Sequence, residues 1–273
     1  MTSFSSPTLP DPPLEAKPVT RWRWWFHLIL IGGYVLPRIA FASQFPRHQP
    51  ALSHSVGGLL AVSAIELALF ALIFALACRV SRPSKEQLLL SWRPGWWVFP
   101  LGLGYSIVIR IAAGMALFFV ILVLLGTHVL SADSAEHFIV ARRPDIAKLV
   151  DVAALRADSA YFWLTLTLVS FVVAGVREEM WRAGTLAGLR ALWPRFFGSL
   201  GGQIGAVALI AIIFGAGHLQ LGLIGAIMAG LLGLFLGVIM VLHRSIWPAV
   251  IAHGFIDATT FALVPFALQK LGV

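Results

Sequence analysis

From Ser199 to Leu242 the chain runs 44 residues without a single Asp, Glu, Lys or Arg. One membrane helix needs only about 20 residues, because each adds about 1.5 Å toward a hydrocarbon core of about 30 Å. The run therefore predicts two membrane helices, joined near His218-Leu219-Gln220. The rest of the chain agrees. Charged residues make up 12% and hydrophobic residues 59%, with a mean hydropathy of +0.88, where a soluble domain carries about 25% charge. The expected fold is all-α: a polytopic integral membrane helical bundle of about seven to eight helices with a buried polar cavity. Helices satisfy their own backbone where no water is at hand.

Residues 1–20, rich in Ser and Pro, read as a disordered cytoplasmic tail, and 21–273 as a single transmembrane domain. Arg21-Trp22-Arg23-Trp24-Trp25 suits a headgroup anchor, with cations outside and indoles at the belt. A first span is expected over 26–41. Its end, Ala40-Phe41-Ala42, resembles a signal-peptidase site, but the long tail and the polar His27 and Arg38 favour retention. A second span covers 57–78 and contains Glu66. Residues 79–93 are basic. The stretch 96–130 would reach about 52 Å as one helix, so a break or an interfacial portion is expected. Residues 131–158 form the longest polar loop. Further spans are expected at 159–176 and 245–268.

The net charge is +8, and the basic segments suit anionic lipids rather than nucleic acid. The positive-inside rule places the N-terminus, 79–93 and 177–195 on the cytoplasmic side. The expected location is the cell membrane, as a multi-pass protein of a bacterial inner membrane. Strict alternation then puts His218 far from the acids at 178–179, unless one element is short, re-entrant or mid-membrane. The lone Cys78 excludes an intrachain disulfide and a thiolate metal cluster.

Titratable groups inside apolar spans are costly and each needs a reason. The set is Glu178, Glu179, Arg182, His218, His253 and Asp257. Adjacent helical residues point about 100° apart, so one of Glu178 and Glu179 can face a cavity while the other pairs with arginine. Arg182 lies within reach of both, at i,i+4 from Glu178 and i,i+3 from Glu179. A carboxylate in a partly dry cavity can act as a general base. The alternative is an interfacial charge cluster at a helix start. His253 and Asp257 share a face at i,i+4, suited to water, to a metal or to simple packing. Glu66 and Arg110 are candidates for a structural ion pair. No His-Glu-x-x-His, Gly-x-Ser-x-Gly or Walker lysine loop occurs.

The order of pieces is Arg177-Glu178-Glu179-Met180-Trp181-Arg182-Ala183-Gly184, then Phe214-Gly215-Ala216-Gly217-His218, then His253-Gly254-Phe255-Ile256-Asp257. This resembles the CPBP family of intramembrane proteases, which includes CAAX prenyl endopeptidases of the Rce1 type and bacterial Abi proteins. Ser245-Ile246-Trp247-Pro248 is similar to the family as well. The resemblance covers about residues 160–260. The family's first motif is Glu-Glu-x-x-x-Arg, whereas Arg182 follows Glu179 by three residues. Matching the glutamates puts Ala183 at the arginine position; matching Arg182 puts Arg177 at the first glutamate. The first register keeps both carboxylates and is preferred. Asp257 stands where the third motif often has Asn.

The resemblance implies an intramembrane metalloprotease acting on a peptide or protein substrate at or in the membrane, with or without a lipid modification. It implies Glu178 as general base and Glu179 as its positioner or the partner of Arg182. It also implies zinc, held by His218, His253 and Asp257. Two other readings remain open: an ion-coupled transporter using the same carboxylates, and a non-catalytic scaffold or immunity protein.

Overall fold

Long apolar runs become helices because the backbone has no other partner in hydrocarbon, and every element found here is helical. The structure is a computed structural model describing residues 20–37, 39–40, 52–129, 131 and 146–270. The expected disordered tail, but for Thr20, and most of the Ala40-Phe41-Ala42 segment lie outside the described residues. The main helices are α1 (Arg21–Gly33), α2 (Val56–Ser81), α3 (Val98–Gly126) and α4 (Ser159–Leu164), then α5 (Arg177–Leu192), α6 (Leu200–Ala216), α7 (Gly222–His243) and α8 (Trp247–Lys270). A π-helical stretch, Thr165–Val176, joins α4 to α5 without a turn. Among the described residues there is no strand.

Among the described residues, four stretches are long and apolar enough to cross a membrane: Val56–Ser81, Gly95–Gly126, Ser159–Leu192 and Leu219–His243. Seven to eight helices were expected. α1 and α6 are shorter, at 13 and 17 residues, and the expected first span over 26–41 runs into residues outside the described set. The uncharged 199–242 run divides as the length argument requires, with α6 ending at Ala216, a 3-10 turn at Leu219–Leu221, and α7 starting at Gly222. In the 96–130 stretch no break appears through Val98–Gly126. Its excess length is met at the start, where Trp96 and Trp97 stand exposed like interfacial anchors.

Side chains close the helix starts. Ser55 Oγ accepts the Gly58 N–H and Ser199 Oγ that of Gly202. The α2 and α7 ends turn off through Arg82 and Arg244 in the left-handed region, φ 52° and 49°. Arg21 Nη2 donates to Leu192 O at 3.3 Å and Trp181 Nε1 to Ile31 O at 2.9 Å. These bonds set α1 antiparallel to α5. Buried His27 bonds Gly184 O of α5 at 3.0 Å and Ser81 of α2 at 2.8 Å. Ile246 N–H donates to Leu89 O. The starts of α1, α3, α6 and α8 thus share one end of the bundle with the ends of α2, α5 and α7.

α6 and α7 pack as a close hairpin. A Cβ on Gly215 would fall 2.7 Å from Ala226 O and 3.2 Å from the Gly230 Cα, so only hydrogen fits there. α8 runs through the middle against the π-helical stretch and α3. At Gly254 the Phe171 ring lies where a Cβ would stand. The main core gathers Trp181, Leu186, Ile210, Leu236, Met240 and Ile246. A second cluster gathers Leu59, Val150, Leu155, Tyr161, Val169 and Phe261 toward the opposite end.

Candidate active site

The first turn of α5 separates the two glutamates. Glu179 points inward and is fully buried (0% exposed), as is the guanidinium-bearing Arg182 (1%) three residues on. Arg182 Nη1 donates to Glu179 Oε1. The same oxygen accepts Nδ1–H of His253 from α8, at 3.0 Å. The Arg182 guanidinium also lies 4.0 Å above the Phe214 ring of α6, a cation–π contact out of water. Glu179 therefore acts as the knot between α5 and α8.

Glu178 points the other way. Its Oε1 accepts from Arg177 Nη2 at 3.0 Å, and its Oε2 lies 3.8 Å from His253 Nε2. Asp257 Oδ2 approaches the same nitrogen to 3.6 Å. His253 thus holds Nδ1 toward Glu179 and shows Nε2 to two further carboxylates. Arg177 reaches across to Glu66 of α2. The pair proposed from sequence between Glu66 and Arg110 does not form. Arg110 of α3 instead donates to Ile256 O at 2.7 Å and to Thr259 Oγ1. The Glu178–Arg182 alternative is replaced as well, because Arg182 turns to the buried Glu179 and Arg177 takes Glu178.

A cavity of about 430 Å³ adjoins these groups. Its polar lining is Glu66, Arg110, Arg177, Glu178, His218, Gln220, His253, Asp257 and Thr260. Glu179 and Arg182 stand behind this wall. His218 sits on the α6–α7 turn, its Nδ1–H bonded to Phe214 O at 2.8 Å and its ring 4.5 Å from that of Phe214. The shortness of α6 brings it to the cavity despite the alternation argument. Glu66, Arg110 and Arg177 were not read as parts of the site. Arg177 adjoins Glu178 in sequence, but its partner Glu66 is 111 residues away, and only folding joins them.

The zinc expectation is overturned. Among the described residues, no group of three or more His, Cys, Asp or Glu side chains is arranged to hold a metal ion. The reason is electrostatic: guanidiniums already face Glu66, Glu178 and Glu179. Glu179 Oε2 is buried without a donor, but it belongs to the carboxylate bonded to Arg182, whose charge repels a cation. The residues do not fit a resident zinc held by His218, His253 and Asp257.

The surroundings can hold a polar reaction inside an apolar bundle. They supply three cavity-lining carboxylates, Glu66, Glu178 and Asp257, an imidazole fixed from behind, and arginines beside the acids. Residues 160–259 match the family model described as Type II CAAX prenyl endopeptidase Rce1-like. No curated protein matches the chain, and no solved structure does. The matched segment starts in α4, ahead of the two glutamates, and ends just beyond Asp257. Residues 160–259 are therefore similar to Rce1-like CAAX prenyl endopeptidases, within a helical membrane protein, a likeness consistent with the CPBP and Abi superfamily.

Proposed function

We propose that this protein is an intramembrane endopeptidase in which Glu178 activates water, and that residues 21–273 work as one transmembrane unit. The observation that carries the reading is the division of labour at the start of α5. Glu179 is buried and bonded to Arg182 and His253, while Glu178 faces the cavity beside His253 Nε2. In the proposed step, Glu178 takes a proton from water as the oxygen adds to the scissile carbonyl carbon. The tetrahedral intermediate then expels the amine, which receives that proton from Glu178.

The oxyanion partner in this reading is His253, whose Nε2 stands beside Glu178 and Asp257 while Glu179 holds its Nδ1. His253 Nε2–H then donates to the oxyanion, held in place by Glu179 at Nδ1 and flanked by Asp257. Preorganised donors of this kind contribute strongly in sites closed to water. His218 and Gln220 offer polar groups to the substrate from the α6–α7 turn. The substrate is a peptide or protein segment at or in the membrane, with a lipid modification compatible with the apolar walls.

The test is cleavage of a peptide library by purified protein in detergent. Glu178→Gln keeps the shape but removes the base, and kcat should fall by about 100-fold or more with an unchanged elution profile and helix content. Wild-type turnover by Glu178→Gln would refute the assignment.

A further inference from the structure

We infer that the cavity receives its substrate from the extracytoplasmic side of the membrane. The inference rests on the proteolytic reading for the word substrate, but its geometry is independent of that reading. The first observation is where the cavity begins. On α5 its lining stops at Glu178, and on α8 it starts at His253; on α3 it starts at Ile109 and on α7 it stops at Leu232. All four limits lie on the same side of the charged cluster. From there the walls continue to Leu149 and Leu52, on the connections that lead into α4 and α2. On the other side the bundle is dry and closed, with Leu236, Met240, Ile246 and Ala249 all at 0% exposure.

The second observation is the charge at the two ends. The closed end carries nine Lys and Arg among the described residues: two in 21–23, four in 79–93, and Arg190, Arg195 and Arg244. Glu86 is the acid there. The cavity end has Lys148, Arg156 and Lys270, with Asp151 and Asp158 beside them. Lys17, Arg38, Arg47, Arg142 and Arg143 lie outside the described residues. Cation-rich short connections stay on the cytoplasmic side, and anionic headgroups there attract them. Exposed Trp22, Trp92, Trp96 and Trp97 belt the closed end and Trp163 the other, marking the two interfaces. The closed face is therefore cytoplasmic and the cavity faces outward. The fitting substrate is an exported or membrane-anchored chain presented at the outer leaflet, rather than a cytoplasmic tail.

The experiment uses the full chain in intact cells with Cys78→Ala as background. Leu149→Cys and Arg244→Cys are treated with a membrane-impermeant maleimide before and after permeabilisation. Leu149→Cys should label fully before permeabilisation, and Arg244→Cys only after it. The reverse pattern would overturn the inference. Hydrolysis by sealed cells and by inverted vesicles is measured in parallel on an added peptide library. Activity confined to intact cells supports the outward cavity, and activity confined to inverted vesicles overturns it. Absence of hydrolysis in both, with the expected labelling, refutes the proteolytic reading while the sidedness stands.

Discussion

Arg182 gives the sharpest test of how the site is held. It is 1% exposed, donates to a Glu179 that is 0% exposed, and lies 4.0 Å over the Phe214 ring. Arg182→Met keeps much of the volume but leaves the Glu179 carboxylate buried without its cation. Removing one partner of a buried pair costs about 3 to 5 kcal/mol, because the remaining charge stays desolvated. Loss of the cation–π contact adds up to about 2 kcal/mol. Glu179→Gln in the same chain removes the stranded charge, so the double variant should recover much of the loss. Reversible unfolding in mixed micelles, run on both single variants and the double, reads the coupling directly. An Arg182→Met penalty below about 1 kcal/mol, or strictly additive effects, would refute the buried-pair account.

Other outcomes follow from the geometry. Chelators such as EDTA or phenanthroline should leave peptide hydrolysis unchanged, since the acids are matched by arginines; loss of activity restored by added zinc would contradict this. Gly215→Val sets a branched side chain against Ala226 O, where a Cβ alone would lie 2.7 Å away. It should cost about 1 to 3 kcal/mol in the same unfolding assay and separate α6 from α7. Asp151 caps the short helix Val152–Ala157 through the Ala154 N–H and also bonds His54. The Ala154 N–H first, and His54 second, hold its carboxyl below the usual range. The stabilisation is present above the ordinary carboxylate pKa and is lost as pH falls through the lowered one. Hydrogen exchange across 152–157 should therefore stay slow until strongly acidic pH, and Asp151→Asn should remove that dependence.

Much of the helical plan was legible because hydrocarbon leaves few choices. The 44-residue uncharged run fixed two helices and their join at His218, and the i,i+3 spacing allowed the Glu179–Arg182 bond that forms. What failed was tertiary. Glu66 finds Arg177 rather than Arg110 because α2 packs beside the start of α5 while α3 packs along α8. His27 looked peripheral by position, yet it ties three helices together once α1 folds between α2 and α5. The zinc expectation came from the resemblance alone, and the arginines that answer the acids only become neighbours after folding.

The π-helical stretch before Glu178 sets how the two carboxylates are aimed. Its wider ring closes on the fifth residue, as the Ser170 Oγ bond to Thr165 O, five positions back, also shows. Each residue there turns the chain less than in an α-helix. The lipid-facing half of this rod and its reactive half therefore keep separate angular registers. A single-residue deletion in 165–176 would carry Glu179 into the cavity-facing position and Met180 into the buried one, whereas an insertion would bury Glu178 and turn Arg177 to the cavity, while the connections at either end stayed the same length.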